Sequence, residues 1–315
     1  MWFLRSESNQ FQPSFFEHVF HCLQISFQIN STLKMASITT NITSEGITEI
    51  TKTTSFLQQQ NSNDSSSPVK NESNNSRPQP KNRDELDQWI SEYCNGIKNH
   101  GEPITWNVAL IKDMSNLFKN NRTFTASIDT WDTSNVTSMK GMFSYSAFNA
   151  PINNFNTSNV TTMKDMFSGA TCFNQSIDNF DTAKVTSMDN MFCNAKLFNQ
   201  SLNNFNTEMV TSMDSMFYNA TEFNQSINHF ITTSVTSMES MFYGAQAYNQ
   251  PMHLLDTSNV TSMSEMFSGA KQFNYSIDSF NTSKCTDMRS MFNGASSMTH
   301  SKNLKHGRKS HDTYF

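Results

Sequence analysis

An α/β repeat solenoid is the fold class this sequence predicts, with coils of one short strand plus one short helix behind an N-terminal capping helix. Three observations predict it. The stretch FNTSNVTTMKDMFSGATCFNQSIDN, residues 155–179, returns with Phe180, Phe205, Phe230, Leu255 and Phe280 as its first residue, a step of 25 each time. Trp131 opens a copy one residue shorter and Trp106 a degenerate first copy, so eight copies cover 106–298. Within each copy the apolar residues recur at helical spacing in one half and lie four apart in an extended half. Chains of this kind grow by adding coils, so the length of 315 residues does not imply two globular domains.

Residues 1–34 are apolar in patches, but Glu7, Glu17, His18 and His21 interrupt them and no basic segment precedes a clean apolar run, so no signal peptide is read. Composition changes at Met35, which is read as the start of the translated protein, with 1–34 as a leader that is not translated. His18, His21 and Cys22 lie together in that leader and are not read as a metal site. Residues 35–83 are rich in Ser, Thr, Asn and Gln and are expected to be disordered, because they cannot bury enough apolar surface to offset chain ordering. Residues 84–105 open with DELDQWISEYCNGI, where Leu86, Trp89, Ile90, Tyr93 and Ile97 keep helical spacing. Asp84 is the expected N-cap, Gly96 the stop, and the helix covers the first coil. Residues 299–315 form a basic tail with four Lys/Arg and one Asp, expected to be disordered.

Eight columns of the repeat are apolar. Taking Phe155–Asn179 as the type, they are Phe155, Val160, Met163, Met166, Phe167, Ala170, Phe173 and Ile177. Val, Met, Met-Phe and Ala stand at relative positions 0, 3, 6–7 and 10, one face of a short helix, and CFNQSIDNF reads as the strand. The intervening DTSN favours a turn through side chain to backbone bonds. A 25-residue period of this kind is the length of a leucine-rich-repeat coil. One coil buries too little to stand alone, so the eight are expected to stack cooperatively.

The recurring blocks MF, FNQ and DTSNVTSM at fixed spacing resemble the BspA-like leucine-rich repeats of mycoplasma lipoproteins, bacterial surface proteins and protists. The resemblance covers about residues 86–298 and implies a leucine-rich-repeat-like solenoid, often exported, used for protein binding or adhesion. It brings no catalytic residues. No lipobox cysteine or wall anchor of the exported members is seen.

Asn149, Asn174, Asn199, Asn224, Asn249 and Asn274 form a column expected to be a structural ladder, its amides bonded to one another or to turn carbonyls. Gln175, Gln200, Gln225 and Gln250 follow it, and which of the two columns faces inward is left open. Sequons at Asn135, Asn159, Asn174, Asn199, Asn224 and Asn259 arise from the consensus; glycans on ladder residues would block stacking if those residues were inside. The Met columns are core, not a metal site. Asp165, Asp189, Asp214, Glu239 and Glu265 are read as an acidic stripe beside the helices. Tyr218 and Tyr243 hold equivalent positions in adjacent coils and, with Asp189, Asp214 and Glu239, are the candidate partner contact.

Residues 106–298 carry ten Lys/Arg against fifteen Asp/Glu, so no basic footprint for nucleic acid exists. No run of residues is long and apolar enough for a membrane span. Five scattered cysteines, Cys22, Cys94, Cys172, Cys193 and Cys285, make a poor disulfide framework and are read as thiols, which leans toward an intracellular location. No catalytic residues, cofactor or metal site are expected. The function expected is protein binding across the coils, without enzymatic activity; the alternative is a surface or secreted adhesin recognising protein or glycan on another cell. The partner and oligomeric state are not legible.

Overall fold

The computed structural model describes residues 77–299. The leader 1–34, the start at Met35, the polar segment as far as residue 76 and the tail beyond 299 lie outside the described residues, as do His18, His21 and Cys22.

Helix α1 runs Arg83–Cys94. Its N-cap is Asn82, not Asp84: the Asn82 side chain accepts from the Glu85 N–H at 2.9 Å. Glu85 in turn accepts from the Lys81 N–H at 2.6 Å. Gly96, at φ +81°, follows the C-terminal end. Leu86, Trp89 and Ile90 are the buried face. Trp89 meets the Trp106 ring edge-on at 5.5 Å, and Tyr93 lies 5.8 Å from Phe124. The polar segment expected to reach residue 83 stops earlier, since the Pro78 carbonyl accepts from the Asn107 N–H. A 3-10 turn, Pro103–Thr105, leads into the first coil.

The coils are not built of a strand and a helix. Among the described residues α1 is the one α-helix, and no strand forms. What remains of a sheet is a row of single parallel bridges, Asp113–Ser138–Thr162–Ser187–Ser212–Ser237–Ser262–Asp287, one residue per coil. The leucine-rich-repeat-like α/β reading is therefore corrected.

The physical reason lies in how the turns join. In the coil 155–179 the N–H groups of Val160, Met166, Ser168, Ala170 and Phe173 donate to the carbonyls of Thr157, Met163, Asp165, Phe167 and Ala170, each three residues back. Phe180 N–H closes the same kind of turn onto Ile177. Buried residues are the first or fourth members of these turns, which produces a three-residue spacing that imitates a helix face.

Between these turn closures, alternate N–H groups leave the coil. Met163, Asp165, Phe167 and Gly169 donate to Ser187, Asp189, Met191 and Cys193 of the next coil, at 2.6–3.3 Å. The same alternation is seen from Met114, Asn116, Phe118 and Asn120 in the first coil to Met263, Glu265, Phe267 and Gly269 in the seventh. It requires a positive φ at two residues per coil, four apart: Asp165 (φ 59) and Gly169 (φ 69), Asn190 and Asn194, Ser240 and Gly244. Positive φ at the third residue of an i to i+3 turn is the type II geometry. An α-helix has no place for it.

The extended half fails to become a strand for a related reason. Asn174 N–H finds the Asn149 side-chain oxygen and not a neighbouring backbone carbonyl.

Inside, the rings stack in two columns. Phe118, Phe143, Phe167, Phe192, Phe217, Phe242, Phe267 and Phe292 follow one another at 5.3–5.7 Å between centroids. Phe173, Phe198, Phe223, Tyr248 and Phe273 form the second column at 6.0–6.1 Å. Each second-column ring lies about one ring thickness from its partner, as with Phe192 and Phe198 at 4.0 Å. Tyr248 is the misfit: its hydroxyl is buried and has no hydrogen-bond partner, and burial pushes its pKa far above the usual phenol value.

Within the turn run each interface has a sense, with N–H donors on one coil and carbonyls on the next. The first coil would thus expose the Asp113 carbonyl, whose counterpart Ser138 O accepts from Met114 N–H. Arg83 of α1 supplies the missing donor through Nη1, at 3.1 Å.

Ser215 has φ 55. Ser215→Gly is expected to raise stability by about 1 kcal/mol, because a non-glycine residue in the left-handed region costs roughly that much. In a helix interior glycine would lower it by about 0.5–1 kcal/mol. The urea midpoint distinguishes the two.

Candidate interaction surface

Three polar columns tie the coil surfaces together. In the first, each Asn side-chain oxygen accepts from the backbone N–H of the Asn one coil later: Asn149 from Asn174, Asn174 from Asn199, Asn199 from Asn224, Asn224 from Asn249 and Asn249 from Asn274, all at 2.9–3.0 Å. Thr299 N–H continues the series onto Asn274. Gln200, Gln225 and Gln250 donate Nε2 to the same oxygens at 2.9–3.1 Å, and Gln175 does so at 3.3 Å. The Asn side chains of this column do not bond to one another; their oxygens accept from backbone N–H and Gln amides, and Gln250 Nε2 also reaches the Asn224 carbonyl at 3.0 Å. They are half-buried or exposed, and both Asn and Gln face outward while Phe173 and Ile177 face the core. The glycan argument loses its premise, since no ladder Asn is inside.

The second column escaped the sequence reading. Thr133, Thr157, Thr182, Thr207, Thr232 and Thr257 are buried, and each donates its hydroxyl to a carbonyl of the next coil at 2.8–3.2 Å. The signal was the unvaried Thr after Asp or Asn in DTSN and NTSN, which turn propensity alone does not require. Before it, Asp132, Asn156, Asp181, Asn206, Asp256 and Asn281 close local turns onto the N–H two residues on. The third column is Thr137, Thr161, Thr186, Thr211, Thr236, Thr261 and Thr286, whose N–H and hydroxyl both reach back to the preceding coil.

The acidic residues do not form one stripe, and no helix adjoins them. Asp189, Asp214 and Glu239 follow the first Met column directly, in line with Lys140, Lys164, Ser264 and Arg289. Asp165 and Glu265 stand one position later, at positive φ. Asp189 is engaged by Lys164 at 3.4 Å and by the Ser212 hydroxyl at 2.5 Å. Asp214 accepts from Ser237 at 2.5 Å and from the Glu239 N–H at 3.0 Å. Glu239 and Glu265 are exposed.

Tyr218 and Tyr243 are brought together. Their rings stack at 4.6 Å and 5°. Partial burial raises the Tyr218 pKa, with Tyr243, Cys193 and Glu265 adding to the effect. Cys193, one coil earlier in the column, is half-buried, and burial pushes its thiol up, away from the reactive thiolate. Cys94, Cys193 and Cys285 are free. Cys172 is disulfide-bonded, which corrects the reading of all five cysteines as thiols. Its position is occupied by Leu197, Glu222, Ala247 and Gln272 in other coils, so the repeat carried no information on it. Among the described residues no group of three or more His, Cys, Asp or Glu could hold a metal ion, and no helix is long and apolar enough to cross a membrane.

A family model described as Mycoplasma protein of unknown function, DUF285, matches residues 88–205, 173–255 and 225–309. The chain belongs to the DUF285 family. The matched segments overlap one another, and together the DUF285 region takes in most of α1 and all eight coils. No curated protein and no solved structure matches the chain. The ladder, turn and ring columns above are therefore the physical content of the DUF285 repeat in this chain.

Asn199→Ala removes the acceptor of both Asn224 N–H and Gln225 Nε2 and is expected to cost about 1–2 kcal/mol in urea unfolding, whereas Asn199→Asp, which keeps an acceptor, costs less. Equal stability of the Ala variant and the parent would show that the ladder contributes nothing.

Proposed function

We propose that this DUF285 chain is a non-enzymatic protein-binding repeat, using a surface that crosses several coils. The observation that carries this reading is a division of labour among positions. The residues repeated from coil to coil are spent on holding coils together: rings and methionines inside, Asn and Thr in inter-coil bonds. Several of the residues that change from coil to coil reach the surface. In the column after the stacked Phe, Lys119 and Asn293 are exposed and Cys193, Tyr218 and Tyr243 are half-buried, whereas Ser144, Ser168 and Ser268 are buried. Constant columns cannot discriminate between partners, and variable outward ones can. The resemblance of the repeat to BspA-like sequences supports the same use.

One observation favours the second reading, an exported adhesin. Cys172 is disulfide-bonded, and disulfides persist in oxidising compartments.

Affinity capture on the immobilised full chain, followed by titration of each captured protein against the pure chain, tests the first reading. Saturable one-to-one binding of a captured protein is expected; if none binds saturably, the reading fails. A fluorescent fusion separates the two readings, with surface or secreted signal favouring the adhesin and interior signal opposing it.

A further inference from the structure

We infer that the face carrying Tyr218 and Tyr243 binds an extended segment of a partner protein bearing Lys or Arg side chains. The inference rests on the protein-binding reading and names the chemistry of the partner.

The tyrosine pair is not demanded by the fold. The other coils place Ser, Cys, Asn or Lys in the same column, and those coils close with the same hydrogen bonds. The pair nevertheless stacks at 4.6 Å, closer than the buried Phe column at 5.3–5.7 Å. Each of the two half-buried, parallel rings has one face that the other does not cover, and the negative face of a ring attracts a cation. Tyrosine also offers contact area at little loss of side-chain freedom, a property of residues that dominate interfaces.

Charge selects the occupant. Within the same two coils lie Asp214 and Glu239, and Glu265 follows in the next. Glu265 reaches back toward coil six, its Oε2 3.5 Å from the Ser240 hydroxyl, and its charge is felt at Tyr218. Asp189 and Asp214 are already engaged by Lys164, Ser212 and Ser237. Glu265, whose charge is felt at Tyr218, and Glu239, in the same coil as Tyr243, are exposed carboxylates. Lys164 on one side and Arg289 on the other bound the acidic window to coils four to seven. Three coil steps span roughly 14 Å at about 4.8 Å each, the length of about four extended residues. An acidic segment would meet like charge here, and a neutral one would leave the carboxylates unanswered.

The test is fluorescence anisotropy of the full chain with fluorescein-labelled decapeptides of alternating Gly-Arg, Gly-Gln and Gly-Glu. The Gly-Arg peptide is expected to bind and the other two not. Tyr218→Ser/Tyr243→Ser and Glu239→Gln/Glu265→Gln should each weaken binding about tenfold or more, while Tyr218→Phe/Tyr243→Phe retains it. Asp178→Asn/Asp278→Asn, which removes the same charge elsewhere, should leave binding unchanged. Equal binding by the Tyr→Ser pair, or an equal loss with the Asp178/Asp278 pair, would overturn the inference, the latter by showing bulk charge alone. Thermal melting confirms that each variant folds. A captured partner that still binds the Tyr→Ser pair with undiminished affinity sinks this inference and leaves the protein-binding reading standing. If the full chain binds no protein, the broader reading falls instead.

Discussion

Every second N–H in the turn run of a coil points out of that coil and into the next one. The rest of the architecture depends on this. Phe167 N–H reaches Met191 O and Phe192 N–H reaches Met216 O, while the intervening N–H groups close local turns. A backbone that used all its donors locally would make a free-standing helix that needs its neighbours only for packing. Here about half the donors of the run have partners only if another coil is present. Buried backbone groups without partners cost about as much as lost hydrogen bonds, so coil formation and coil stacking are one event.

The alternation fixes side-chain chemistry as well. Because the ends of the 163–166 and 167–170 turns face inward, the chain can place Met163, Met166, Phe167 and Ala170 in the core without helical geometry. Rings one coil apart are held in register and stack. Positive φ recurs at fixed places, and Gly, Asn and Asp fill most of them. At Gly169 even a Cβ would strike the Tyr145 ring, so φ and close approach both demand glycine. The direction of the inter-coil bonds also explains α1: it covers apolar surface with Trp89 and answers the outermost carbonyl with Arg83.

Much of this was legible in the residues. The period, the eight copies and the identity of the buried columns follow from the repetition of Val, Met, Met-Phe, Ala, Phe and Ile along the chain. The backbone that carries them was not legible from apolar spacing, because turn ends three residues apart and helix faces three and four apart give nearly the same pattern. The discriminating residues were the polar ones. Asn190 and Asn194, or Glu265 and Gly269, mark left-handed positions four apart, and a run with two such residues in every copy is a poor helix. Thr157 and its counterparts looked like turn formers and proved to be buried inter-coil donors. The pairing of Tyr218 with Tyr243 could be foreseen from the period, but the engagement of Asp189 by Lys164 and Ser212 needed coordinates. Partner identity lies in outward positions, where the repeat imposes nothing.

The most direct measurement is the through-hydrogen-bond scalar coupling between amide nitrogen and carbonyl carbon in the labelled full chain. The structure predicts coupling from Phe167 N to Met191 C′ and from Phe217 N to Met241 C′, one coil onward in each case. Coupling from Phe167 to Met163 and from Phe217 to Met213, four residues back, would mean helices in the coils and would contradict the alternating backbone.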